Sequence, residues 1–120
     1  MCGIVGYFSK EATHKLEGAL QCALPALNKR GPDSQSAKTL SPHVGFGHAR
    51  LSIIDTSSIA NQPMQDAGGR YTIIFNGEIF NFRELRQQFL PEVKFTSTSD
   101  TEVLLNLYIK LGKDCLQHLN

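Results

Sequence analysis

The sequence has almost no excess charge: Lys and Arg number 12 against 11 Asp and Glu, a formal net charge of +1. That is too little to attract nucleic acid phosphates or an anionic membrane surface, so nucleic acid is excluded as a partner. No segment approaches the roughly 20 apolar residues of a membrane span. The opening stretch Met1 to Phe8 lacks a basic leader, and its apolar run is too short and glycine-rich for a secretory signal. The expected location is the cytoplasm, with no membrane partner. Cysteine is sparse. Cys2, Cys22 and Cys115 form an odd count with no Cys-x-x-Cys pair, which argues against both a disulfide framework and a zinc site. His14, His43, His48 and His118 show no ligand spacing, so no metal is expected. Repeats and low-complexity segments are absent too. What remains is a chain of 120 residues, 41% apolar and 19% charged, long enough for one globular domain with a real core.

The order of elements follows from apolar spacing and turn residues. Ile4 to Phe8 reads as a short buried strand. From Glu11 to Asn28, the residues Leu16, Ala19, Leu20, Ala23, Leu24 and Leu27 recur at helical spacing, with Pro25 kinking or splitting the last turns. Arg30 to Asp33 ends that helix as a loop, and the polar stretch through Ser41-Pro42 continues it. Val44 to Ile54 is a second extended region and Tyr71 to Phe75 a third strand. Asn76-Gly77 then falls in a strand-to-helix connection, because Asn81 and Glu84 form a capping box for a helix through about Phe89. Val93 to Phe95 is a short strand candidate. Ser99 and Glu102 cap a helix from Asp100 to Leu111, stopped by Gly112, and Lys113 to Leu119 begins another. The expected class is layered α+β, with a last helix that has nothing after it to bury against, as in a domain truncated at its C-terminus.

Cys2 has a specific chemical consequence. Removal of Met1, expected before a small side chain, leaves a thiol beside a free α-amine. An α-amine with an unperturbed pKa of about 7.7–8.0 can take the proton of a thiol of about 8.5, so one residue supplies nucleophile and base. The alternative is that any coding sequence can carry Cys at its second position.

Taken in order, Met1-Cys2-Gly3-Ile4-Val5-Gly6, Arg30-Gly31-Pro32-Asp33, Gly47-His48-Ala49-Arg50-Leu51-Ser52-Ile53, Asn76-Gly77-Glu78-Ile79-Phe80-Asn81 and Ser99-Asp100-Thr101-Glu102 resemble the class II glutamine amidotransferases. The likeness is nearest to their asparagine synthetase branch and covers essentially the whole chain; Pro32, Leu51-Ser52-Ile53 and Glu78 carry the subtype. The resemblance implies a four-layer αββα sandwich of the N-terminal nucleophile hydrolase type, and L-glutamine as substrate. It implies that Cys2 attacks the glutamine side-chain amide to form a thioester, with the Asn76 amide and the Gly77 N–H as oxyanion hole. Arg50 suits the substrate α-carboxylate through a bidentate fork. Asp100 with Glu78 suits the α-ammonium, and the backbone of Leu51, Ser52, Ile53 and Ile54 runs along the substrate. The plainer alternatives are a surface ion pair for Arg50, a helix N-terminal carboxylate for Asp100 and a simple turn for Asn76-Gly77.

The Arg30 to Asp33 loop is assigned a structural role near the site. Cys22 and Cys115 read as buried thiols on apolar helix faces, and His48 as a hydrogen-bonded structural histidine. Two departures stand out. Lys29 occupies a position where many relatives carry histidine, and the family's glutaminase domain is longer than this chain. It continues into further core strands and then a C-terminal synthetase domain that uses ATP and magnesium; no cofactor is expected in this segment itself. The resemblance therefore implies ammonia supply for asparagine synthesis from aspartate, and admits a homodimer. Amidation of another carboxylate, of a sugar or metabolite, and a non-catalytic glutamine-binding domain are the competing readings.

Overall fold

The computed structural model describes residues 1–12 and 15–120. The chain is α+β with antiparallel sheets, and it divides into two units. The first comprises Met1–Ser52, Asn61–Pro63 and Ile74–Asn76; the second comprises Ile53–Ala60, Met64–Ile73 and Gly77–Asn120.

In the first unit β1 (Gly3–Phe8), β2 (Ser34–Ser41) and β3 (Val44–Arg50) form an antiparallel sheet in the order β1-β3-β2. Gly3 pairs with Ala49 and Phe8 with Val44, while Ser34 pairs with Arg50. Helix α1 (Lys15–Ala23) continues as a 3₁₀ helix over Leu24–Leu27, with Pro25 in its first turn. The expected split at Pro25 is observed, since proline cannot supply the N–H that an α-helix needs there. The helix expected from Glu11 does not reach it, since Glu11 and Ala12 are not helical and α1 is described from Lys15; His14 lies outside the described residues. Leu20 and Leu24 are buried under the sheet, and a Cβ at Gly47 would come within 3.1 Å of the Leu24 side chain. Glycine in β3 thus lets the helix approach the strand.

Several expectations for this unit are corrected. Residues 34–41, read as loop, are strand β2. Their polarity is no obstacle, because β2 flanks the sheet and its ladder bonds to β3 come from the backbone. Strand β1 is not buried throughout: Ile4 and Phe8 face outward, as alternation on one covered face requires. Strand β3 stops at Arg50 rather than Ile54. Cys22 is exposed; it lies two residues from Leu20, about 200° around the helix from the buried side.

In the second unit the strands are short. β4 (Met64–Gln65) pairs with β5 (Thr72–Ile73), so the predicted strand from Tyr71 to Phe75 is reduced to its centre. Helix α2 (Phe82–Phe89) packs on α3 (Asp100–Leu111), and a 3₁₀ helix over Gly112–His118 replaces the predicted last helix. The core of this unit includes Ile79, Leu85, Leu90, Val103, Leu105, Leu107 and Cys115, so Cys115 is buried as expected. Helix α3 has the predicted bounds. The Ser99 hydroxyl caps it by accepting from the Glu102 N–H, and Gly112 ends it at φ 60°, where glycine carries no side-chain penalty.

The other capping box fails. Asn81 precedes α2 but its side chain makes no cap bond; it donates to the His118 carbonyl and accepts from the Asn120 N–H. Val93 to Phe95 forms no strand. Phe95 instead lies under the Arg86 guanidinium, 4.0 Å from ring centroid to carbon. Among the described residues no helix is long and apolar enough to cross a membrane.

Gly31 offers a direct test of packing in the first unit. A Cβ there would lie 2.2 Å from the Ala49 carbonyl carbon and oxygen and 2.5 Å from the Arg50 nitrogen, all backbone atoms that cannot rotate away. Gly31→Ala is expected to lower stability by about 1–3 kcal/mol, read from the urea unfolding midpoint. An unchanged midpoint would show that the loop is not packed as described.

Candidate active site

The antiparallel pairing of Gly3 with Ala49 carries Cys2 to the end of β3. There its half-buried thiol is held by one peptide group on each side of the sulfur's polarity. The Leu51 N–H donates to Sγ at 3.3 Å, and the thiol lies 3.6 Å from the Leu51 carbonyl oxygen as donor. The Arg30 Nε–H donates to the Cys2 carbonyl at 3.1 Å, so the Cys2 backbone is anchored as well. Three residues later in the same loop Asp33 holds the outgoing end of β3. Its N–H donates to the Arg50 carbonyl at 3.0 Å, and its Oδ2 accepts from the Ser52 N–H at 2.7 Å. The structural role expected of Arg30 to Asp33 is observed, and the contact of the Arg30 side chain with Cys2 is an addition to it.

Arg50, the last residue of β3, is only 8% exposed, and its guanidinium donates to Asn61 Oδ1 at 2.8 Å. It is not a solvated surface charge. His48, two residues earlier on the strand, is 1% exposed and bonds through Nε2 to the Phe75 carbonyl at 3.3 Å. A bond to a carbonyl requires the proton on Nε2, and Nδ1 has no hydrogen-bond partner among the described residues. The Phe75 N–H donates to Gln62 Oε1. The residue before Asn76 is therefore gripped on both its N–H and its C=O, while Asn76 itself is exposed.

In the second unit Asp100 opens α3 and is buried. Its Oδ2 accepts from the Ile79 N–H at 3.1 Å, and the Thr101 hydroxyl lies 3.5 Å from Oδ1. It does more than complement a helix dipole, because it pins the turn that follows the exposed Gly77 and Glu78. Glu102 is buried in the first turn of the helix. It accepts from the Thr96 N–H and hydroxyl at 2.9 and 3.0 Å, and from the Ser97 N–H and hydroxyl at 2.7 and 2.5 Å. Burial alone would push its carboxyl up, but these donors outweigh burial and hold it below the usual carboxylate range. Ile53 and Ile54 are exposed. A cavity of about 400 Å³ is lined by Ile54, Phe82, Arg83, Arg86, Gln87 and Thr98. It includes neither Asp100 nor Gly77 nor Glu78.

The predicted set is thus distributed. Cys2, Arg50, Leu51, Ser52 and Asn76 belong to the first unit; Ile53, Ile54, Gly77, Glu78 and Asp100 belong to the second. Within the first, Cys2 and Leu51 touch. Within the second, Asp100 bonds the turn after Glu78. Sequence reasoning missed Asn61, Gln62 and Asp55, which carry no motif signal, and saw in Glu102 only a cap partner. Among the described residues no group of three or more His, Cys, Asp or Glu side chains converges as a metal site would need.

His48 generates a pH prediction. Burial lowers its pKa from 6.5; the bond to the Phe75 carbonyl works against this and the charge of Arg50 adds to it. Between the depressed folded value and 6.5 the unfolded chain takes up a proton that the folded chain refuses. The stability from neutral His48 is therefore full above that upper value and is lost as pH falls through the folded one. Melting temperature is expected to drop on going from about pH 7 to 5, with a shallower slope in His48→Gln; equal slopes would contradict the assignment.

The model of the family described as "Glutamine amidotransferase domain" matches residues 1–120. The chain is 41% identical over its whole length to "Asparagine synthetase [glutamine-hydrolyzing] 3" of Bacillus subtilis, covering 20% of that protein. It is 44% identical over 90% of its length to "Asparagine synthetase [glutamine-hydrolyzing] 1" of the same organism, covering 17% of it. "Amidase chry2" of Gibberella zeae is 38% identical over 83% of the chain, which covers 15% of that relative. The chain thus spans a fifth or less of these proteins. Since the match runs through the anchored Cys2, the buried Arg50 and the Asp100 turn alike, this chain belongs to the glutamine amidotransferase domain family, as that domain occurs among the glutamine-hydrolysing asparagine synthetases.

Proposed function

We propose that the chain hydrolyses L-glutamine to glutamate and ammonia through a thioester on Cys2. The observation that carries this reading is the Cys2 thiol held 3.3 Å from the Leu51 N–H at the end of β3, one residue beyond a buried arginine. Met1 is 75% exposed, so an aminopeptidase can reach it. Its removal frees the Cys2 amine to take the thiol proton as sulfur attacks the side-chain amide carbon. The carbonyl oxygen becomes an oxyanion, received by the Asn76 amide and the Gly77 N–H. Collapse expels ammonia, which leaves with the proton from the amine, and the acyl group stays on sulfur. Water, deprotonated by the same amine, then hydrolyses the thioester to glutamate and regenerates the thiol. Arg50 takes the α-carboxylate, Asp100 with Glu78 takes the α-ammonium, and the Leu51 to Ile54 backbone lies along the substrate. Oxyanion donors of this kind contribute about 2.7–4 kcal/mol each to the transition state.

The architecture this reading requires is the four-layer αββα sandwich. The ammonia would serve asparagine synthesis from aspartate in a longer parent, whose C-terminal synthetase domain would use ATP and magnesium, in the cytoplasm and with room for a homodimer. Likeness to the relatives named asparagine synthetase supports this acceptor. Likeness to the relative named "Amidase chry2" favours a second reading, delivery of ammonia to a different acceptor, with the same glutamine chemistry.

An electrophilic diazoketone analogue of glutamine tests the common part. Intact mass is expected to show Met1 removed and one adduct on Cys2, suppressed by excess glutamine. Cys2→Ala should take no adduct and lose at least about a thousandfold in glutaminase rate. Labelling that glutamine does not suppress, or activity surviving in Cys2→Ala, would sink the reading.

A further inference from the structure

Asp55 directly follows Ile54 in a stretch without helix or strand, yet both its oxygens are engaged. Oδ1 accepts from the Ser57 N–H at 2.9 Å and the Ser57 hydroxyl at 2.6 Å, closing a local turn. Oδ2 accepts from the Thr98 N–H at 2.8 Å and the Thr98 hydroxyl at 3.0 Å, across 43 residues of sequence. These donors, those of Ser57 first, hold the Asp55 carboxyl far below the usual carboxylate range, so the group stays ionised.

Thr98 belongs to the loop that delivers Asp100. Glu102 binds Thr96 and Ser97 of that loop, the Ser97 and Ser99 hydroxyls lie 2.9 Å apart, and Ser99 caps α3. Each residue from Thr96 to Ser99 therefore has a side-chain-mediated anchor. The anchors from Glu102 and Ser99 are local and hold the loop to its own helix. The anchor from Asp55 is different in kind, because it fastens the loop to the Ile53–Ile54 stretch.

We propose that Asp55 is a positioning residue for glutamine: it ties the Ile53–Ile54 backbone to the loop presenting Asp100, so that the two glutamine-binding segments of this unit keep one spacing. This deepens the proposed function and rests on its assignment of Asp100 and Ile53–Ile54. Asp55 supplies no atom to the thioester chemistry. Its effect falls on binding, because two unregular segments left unlinked must be ordered each time substrate binds.

The test is steady-state glutaminase kinetics of the full chain carrying Asp55→Asn, which keeps the size but turns an amide N–H toward the Thr98 donors or forfeits one pair of bonds. KM for glutamine is expected to rise about tenfold with kcat within about twofold, a split that general loss of folded protein does not produce. Thr98→Ala, which removes only the hydroxyl bond, should raise KM about threefold. If Asp55→Asn shows no cooperative melt, Thr98→Ala decides by the same criterion. A wild-type chain that hydrolyses glutamine through Cys2, beside variants with unchanged KM, overturns the positioning role and leaves the proposed function standing. Variants that lower kcat and keep KM also overturn it. A wild-type chain without glutaminase activity overturns both.

Discussion

The antiparallel register of β1 on β3 is the constraint on which the surroundings of Cys2 depend. Once Gly3 faces Ala49, Cys2 must stand beside the residues that leave β3, and its sulfur meets the Leu51 peptide without any further device. A slip of one residue would turn every side chain of β1 to the other face and carry the thiol away. The loop from Arg30 to Asp33 reinforces this register from outside the ladder. Arg30 bonds the strand that is beginning and Asp33 the strand that is ending, while Gly31 lies flat against the Ala49–Arg50 backbone between them.

Beyond the sheet, much of the chain that carries candidate residues has no regular structure, and its peptide groups still need partners. Carboxylates provide many of them. Asp33 accepts from Ser52, Asp55 from Ser57 and Thr98, Asp100 from Ile79 and Glu102 from Thr96 and Ser97. A charged acceptor gives bonds about twice as strong as a neutral one. Irregular segments can thereby be held in one conformation where a strand ladder would force them straight.

How much of this was legible in the sequence depended on whether the signal was local. Helix α3 could be bounded from Ser99 and Gly112 because cap and stop are encoded within a few residues. The structural duty of Arg30 to Asp33 followed from a loop that glycine and proline restrict. Strand β2 was hidden because its residues are polar and its stability comes from pairing with β3, which composition does not record. Asn81 misled for the opposite reason: the local pattern of a cap was present, but partners at His118 and Asn120, far along the chain, took its amide. Cys22 sat in an apolar helix but on its outer face. Asp55 had no pattern at all, and Asn61 only that of turn chemistry in Asn61-Gln62-Pro63, since their partners are set only once the chain has folded.

The three neighbouring acids of the second unit also differ in what they have left to give. A carboxylate offers about four acceptor positions. Asp55 and Glu102 each accept from both the N–H and the hydroxyl of two residues, and so are saturated by the protein itself. Asp100 accepts one firm bond from Ile79 and a longer one from Thr101. Its remaining capacity is that of an acid able to receive an ammonium group without surrendering the bonds that hold it. This asymmetry supports assigning ligand binding to Asp100 and support to Asp55 and Glu102, on grounds of hydrogen-bond supply that are independent of any sequence motif.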